Sequence, residues 1–125
     1  MRKIEQKLLK CFRKQKNFNS EIDTISVETE TESIYYYNYG CLVFAKIIDE
    51  NKETIYFRLP PYKGLLSFTT KSRINAFLST YDLRINQRNY KYFCNNQEIK
   101  LDTVYSIGKN DNDGKYYING VVIYD

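Results

Sequence analysis

The chain has 125 residues, 42% of them hydrophobic and 27% charged, with a formal net charge of +4, the size of one domain and the balance of a globular chain rather than a disordered one. Histidine is absent, which removes the commonest general acid–base, the imidazole partner of Ser and Cys nucleophiles and the commonest transition-metal ligand. Cys11, Cys41 and Cys94 form no C-x-x-C pair, so a zinc ribbon or redox motif has no support and free thiols are expected; no cofactor or metal is implied.

Residues 2–16 read as an amphipathic helix. Ile4, Leu8, Cys11 and Phe12 follow a 3.6-residue period, and the remaining face is basic, with Lys3, Lys7, Lys10, Arg13 and Lys14 prominent and Glu5 the lone acid. This opening holds no apolar run of signal-peptide length, and nowhere does the chain approach the roughly 20 apolar residues that span a bilayer. A cytoplasmic location with no membrane contact is therefore expected. Residues 17–32 reverse the charge: Glu21, Asp23, Glu28, Glu30 and Glu32 stand without a basic residue. The alternation in Glu28–Glu32 predicts a strand with three carboxylates on one solvated face.

Strands follow at Ser33–Tyr39 and Cys41–Ile48, then a polar turn at Asp49–Lys52 and a strand over Glu53–Leu59, ended by Pro60-Pro61. In Tyr35-Tyr36-Tyr37-Asn38-Tyr39, Tyr35, Tyr37 and Tyr39 share a face opposite Tyr36, which suits either cross-strand packing or an interface. A second helix begins with Thr69 or Thr70 as its cap and carries Ile74, Phe77, Leu78 and Tyr81 at i, i+3, i+4 and i+7. Leu83, Ile85 and Gln87 alternate as a strand, Arg88-Asn89 turns into Tyr90–Cys94, and Asn95-Asn96 turns into Gln97–Leu101. Thr103–Ile107, a loop over Gly108–Gly114 and Lys115–Ile118 complete a meander. Asn119-Gly120 predicts a type I′ turn into a last strand, Val121–Tyr124. Residues 91–99 and 115–123 echo each other and are read as two similar hairpins. The expected fold is α+β: a largely antiparallel sheet of β-hairpins, about seven strands, with one central packed helix and a basic N-terminal helix. It is read as a single domain, 1–125, with the helix over 1–17 and the α+β body over 22–125.

Three constellations are candidates for function. At the second helix's start, Thr69, Thr70, Lys71 and Arg73 gather hydroxyls and cations where a helix N-terminus favours an anion; a simple cap with two solvated cations explains them too. Residues 60–100 hold Lys63, Lys71, Arg73, Arg84, Arg88, Lys91 and Lys100 against Asp82 and Glu98, with Tyr90, Tyr92 and Phe93 interleaved. That mixture suits single-stranded nucleic acid or an acidic protein equally; ordinary hairpin alternation also produces it. The N-terminal helix supplies a secondary basic surface. Asp111-Asn112-Asp113-Gly114 resembles a calcium loop, but Lys109 and Gly120 occupy its first and twelfth ligand positions, so it reads as a turn.

The block Thr69-Thr70-Lys71-Ser72-Arg73-Ile74-Asn75-Ala76-Phe77-Leu78, followed by Ile85-Asn86-Gln87-Arg88-Asn89, resembles a T-T-x-x-R-[IL]-N-A pattern in small uncharacterised accessory proteins of bacteriophages and plasmids. The resemblance covers Thr54 to about Phe93. It implies a mobile-element accessory protein acting inside a bacterial cell. The expected function is non-enzymatic: binding of a host protein or ribonucleoprotein, as an anti-CRISPR-like inhibitor of a host defence or nucleic-acid-processing system. The alternatives are direct binding of single- or double-stranded nucleic acid, and a histidine-free enzyme.

Overall fold

A computed structural model describes residues 1–61 and 65–120. In chain order the elements are α1 (Lys3–Arg13), β1 (Phe18–Asn19), β2 (Asp23–Val27), β3 (Ile34–Asn38), β4 (Cys41–Asp49), β5 (Lys52–Arg58), α2 (Phe68–Ser79), β6 (Asn86–Arg88), β7 (Lys91–Cys94), β8 (Gln97–Ile99), β9 (Val104–Lys109) and β10 (Tyr116–Gly120). The architecture is α+β and mostly β. One antiparallel sheet of seven strands runs β1-β2-β3-β4-β5-β9-β10, and a second of three runs β6-β7-β8. Tight turns do much of the joining. Glu50-Asn51, Asn89-Tyr90 and Asn95-Asn96 each place two successive residues at positive φ, the backbone twist that suits a two-residue hairpin.

Both helices pack on one face of the large sheet. Register places Tyr36 opposite Phe44, Phe44 opposite Phe57, and Phe57 opposite Tyr105, so these rings share that face. Phe77 of α2 stacks on Tyr36 with centroids 4.5 Å apart, and Phe12 of α1 meets Phe44 and Phe77 edge-on at 5.6 and 5.3 Å. Such contacts add to the area that the rings bury. Ile74 and Leu78 of α2 and Leu8 of α1 are fully enclosed. The small sheet turns Tyr92, Cys94 and Ile99 into the same core. On the other face of the large sheet lie Tyr35 and Tyr37, paired with Ala45 and Leu42; Tyr36 points in while its neighbours point out, as alternation requires.

The structure revises several local expectations. Ser67, not Thr69 or Thr70, caps α2: its hydroxyl accepts the Thr70 N–H at 3.1 Å. Glu28–Glu32 is no strand but the loop joining β2 to β3, closed by the Glu28 N–H on the Ser33 carbonyl at 2.8 Å. Leu83 and Ile85 precede the short β6, with both side chains buried. Asn119-Gly120 makes no turn, because β9 is long enough to pair with both, Asn119 opposite Ser106 and Gly120 opposite Tyr105. In the described part of the echo between 91–99 and 115–123, Asn95-Asn96 turns while Asn119-Gly120 continues a strand. The expected strand Val121–Tyr124 and Lys63 lie outside the described residues.

Candidate binding surfaces

Three charged side chains are buried together where α1, α2 and β2 meet: Glu5 is 3% exposed, Asp23 2% and Arg73 5%. The Arg73 guanidinium donates from Nη1 to Glu5 Oε2 at 2.9 Å and from Nε to Asp23 Oδ1 and Oδ2 at 3.2 and 3.3 Å. Buried charges persist only when paired and fully hydrogen-bonded, and further donors complete this set. Ser72 Oγ donates to Glu5 Oε2 at 2.6 Å, and the Arg2 N–H to Glu5 Oε1 at 3.3 Å. The Tyr36 hydroxyl donates to Asp23 Oδ1, as does Asn38 Nδ2 at 3.4 Å. Thr70 Oγ1 donates to Asn38 Oδ1 at 2.9 Å and links the cap of α2 to the same chain of bonds.

The protonation states follow from these contacts. Burial pushes the Glu5 carboxyl up, but bonds from Ser72, Arg73 and the Arg2 amide, with the Arg73 charge, outweigh it and hold Glu5 below its ordinary value. Burial alone would lower Arg73; its bonds to Asp23 and Glu5 instead raise it. Tyr36 is raised strongly, first by burial and then by its bond to Asp23. The cluster is thus a charged clasp that fastens α1 to the body.

Two basic features remain in solvent. Along α1 and its C-cap residue Lys14, Lys3, Lys7, Lys10 and Lys14 fall at i, i+4, i+7 and i+11, all exposed, on one face about 16 Å long. No ion pair among the described residues involves any of them; Lys7 Nζ lies 5.2 Å from the Phe18 ring centroid. The second feature is a groove beside α2, lined in part by Phe68, Lys71, Asn75, Arg84 and Gln87.

The profile of the Kyanoviridae Gp96 protein family matches residues 1–122, both helices and both sheets included. The chain belongs to that family. It is a phage protein, as the Thr69–Leu78 block led us to expect, although a match over the whole chain does not bear on that block in particular. No curated protein and no solved structure matches it.

Within this phage fold the residues named from sequence divide among separate environments. Thr70, Arg73 and Tyr92 are interior. Thr70 is engaged by Asn38, Arg73 is neutralised by Glu5 and Asp23, and the Tyr92 hydroxyl accepts the Leu66 N–H at 2.7 Å. The expectation of a solvated Arg73 is thereby corrected. Thr69 is half-buried. Lys71 donates to Gln87 Oε1 at 3.0 Å in the groove, where Arg84 is exposed. Lys91 pairs with Glu98 at 3.4 Å, Arg88 lies over the Phe93 ring at 4.4 Å, and Tyr90 stands 83% exposed on its turn. Arg13 is exposed with the α1 lysines. Arg73 is therefore not one of the exposed cations around α2, while the helix ranked second from sequence sets four exposed lysines along one face.

Sequence reasoning missed the roles of Glu5 and Asp23, although a signal for both was present. Glu5 is in phase with Leu8 and Phe12, Asp23 with Ile25, and Arg73 with Thr70 and Phe77. A charge on an apolar stripe points inward. Among the described residues no group of three His, Cys, Asp or Glu side chains gathers where it could hold a metal ion. The three cysteines are free, Cys94 buried and Cys11 and Cys41 partly so, and among the described residues no helix is long and apolar enough to cross a membrane.

Proposed function

We propose that this phage protein is a non-enzymatic accessory factor that binds a host protein or ribonucleoprotein in the bacterial cytoplasm and inhibits a defence or nucleic-acid-processing system, in the manner of an anti-CRISPR protein. The observation that supports this reading is the α1 stripe: Lys3, Lys7, Lys10 and Lys14 line one exposed face, without ion-pair partners among the described residues, on a helix fixed by the Glu5–Arg73 bond. A preorganised basic face loses little freedom when it meets an acidic surface, and complementary charge speeds the encounter.

The test is affinity capture of the tagged protein from host lysate, wild type beside a variant with Lys3, Lys7, Lys10 and Lys14 all changed to Glu, with and without nuclease. A stoichiometric host protein retained by the wild type, resistant to nuclease and lost from the variant supports the reading. Capture that disappears with nuclease, together with direct binding of purified DNA or RNA that weakens steeply with salt, replaces it with nucleic-acid binding. Equal capture by wild type and variant removes the stripe from the interaction.

A further inference from the structure

The groove between the exposed flank of α2 and the Arg84–Gln87 segment has a volume of about 560 Å³, within the range of small-ligand sites. Its two walls are tied together by Asn75, whose Oδ1 accepts the Ile85 N–H at 2.7 Å and whose Nδ2 donates to the Ile85 carbonyl at 3.3 Å. Ser72 in the lining is committed to Glu5, and the Glu5 charge is already met by Arg73. These groups are structural. The groups left for a ligand are different in kind.

Arg84 is exposed and forms no ion pair among the described residues. Among the described residues the Lys71 ammonium donates to the Gln87 carbonyl oxygen alone, leaving donors to spare on an ammonium that carries three. The Gln87 and Asn86 amides add neutral donors and acceptors to the same lining. Phe68 also lines the groove, and its ring is 72% exposed, with the Arg2 guanidinium 5.1 Å from its centroid. Cations that no described residue neutralises call for an anion. An aromatic face left in water beside them calls for a planar partner, because bases stack on such rings whatever their sequence. Amides complete the set that reads a base edge.

The geometry points to this groove as a site for a nucleoside monophosphate, its phosphate met by Lys71 and Arg84 and its base stacked on Phe68. The unit can arrive as a free nucleotide or as one residue of a single strand. The site is separate from the α1 stripe and does not depend on the role proposed for it.

Calorimetric titration of the intact protein tests this with thymidine monophosphate, adenosine monophosphate, a short oligothymidylate and inorganic phosphate. Saturable one-site binding of a mononucleotide or the oligonucleotide is expected, with inorganic phosphate at least about tenfold weaker for want of the stacked base. Phe68→Ala, Lys71→Ala and Arg84→Ala should each weaken it about tenfold, while unfolding at the wild-type temperature. The α1 variant with all four lysines changed to Glu should bind as the wild type does. A free nucleotide as the natural ligand is indicated by equal affinity for thymidine monophosphate and oligothymidylate, a strand by tighter binding of the latter. No saturable binding of any nucleotide probe, phosphate binding as tightly as the nucleotides, binding indifferent to Phe68→Ala, or loss of binding in the α1 variant would each overturn the proposal.

Discussion

Replacing Arg73 by Met separates a clasp from a surface cation. Methionine keeps most of the side-chain length but removes three donated bonds, two to Asp23 and one to Glu5, and leaves two carboxylates buried without a countercharge. Breaking a buried ion pair by removing one partner costs about 3–5 kcal/mol, whereas a solvated surface cation is worth within about 0.5 kcal/mol either way. For 125 residues the unfolding entropy is about 0.26 kcal/mol/K, so the same loss lowers Tm by about 11–19 °C. The pH dependence is a second signature. In the wild type Glu5 is held below its ordinary 4.5, so its contribution is present above that value and is lost as pH falls through the folded pKa. Without Arg73, the burial that opposes its ionisation weighs more on the Glu5 carboxyl, so protonation of Glu5 favours the folded variant. The stability gap between wild type and variant should therefore narrow from neutral pH toward about pH 4.5. Urea unfolding followed by circular dichroism across that range measures both quantities. A loss below about 1 kcal/mol, or a gap that does not change with pH, would refute the clasp.

Other substitutions probe neighbouring links. Ser67→Ala should cost about 1 kcal/mol in urea unfolding, through the lost cap on Thr70 N–H. Changing Lys3, Lys7, Lys10 and Lys14 together to Gln should leave stability within about 1 kcal/mol of the wild type or raise it, because the exposed stripe makes no ion pair among the described residues. Tyr81, half-buried against Phe44 and Tyr116, is pushed up to about 12, first by burial and then by Glu53. Its raised folded value means that its contribution is intact below 10 and is lost as pH rises toward 12. An ultraviolet titration should show Tyr81→Phe lacking a late-ionising phenol, and the wild type losing stability over that interval.

Much of the fold was legible because it rests on local periods. The stripe of Ile74, Phe77 and Leu78 did enter the core, the Tyr35–Tyr37 alternation did split between faces, and the Asn95-Asn96 turn formed where expected. The failures came from partners far along the chain. Asn119-Gly120 carries a strong turn signal, but pairing with Ser106 and Tyr105 of β9, which lie 13 and 15 residues back in the chain, keeps both residues in the strand. Arg73 looked solvated because its acids lie 50 and 68 residues away. The charge alternation of Glu28–Glu32 looked like a strand, yet three like charges gain nothing from a ladder and sit in the connecting loop. For the candidate site, residue type was readable and depth was not: Lys71 and Arg84 share the groove, while Thr70 and Tyr92 lie beneath the surface.

The clasp and the lysine stripe are two halves of one energetic problem. An isolated helix as short as the 11 residues of α1 is marginal in water. Its outer face adds to the difficulty, since Lys3–Lys7, Lys7–Lys10 and Lys10–Lys14 are like-charge neighbours at i+4, i+3 and i+4, each opposing the helix by about 0.2–0.5 kcal/mol. Leu8 and Phe12 bury one side, but apolar burial alone does not fix the rotation of a helix so weakly held. The Glu5 contacts to Ser72 and Arg73 do fix it, because a directional bond to a buried guanidinium admits one orientation. The cations thus stay aligned against their mutual repulsion, and among the described residues no acid relieves it. A bound anion would, so occupancy of the stripe and stability of α1 must rise together.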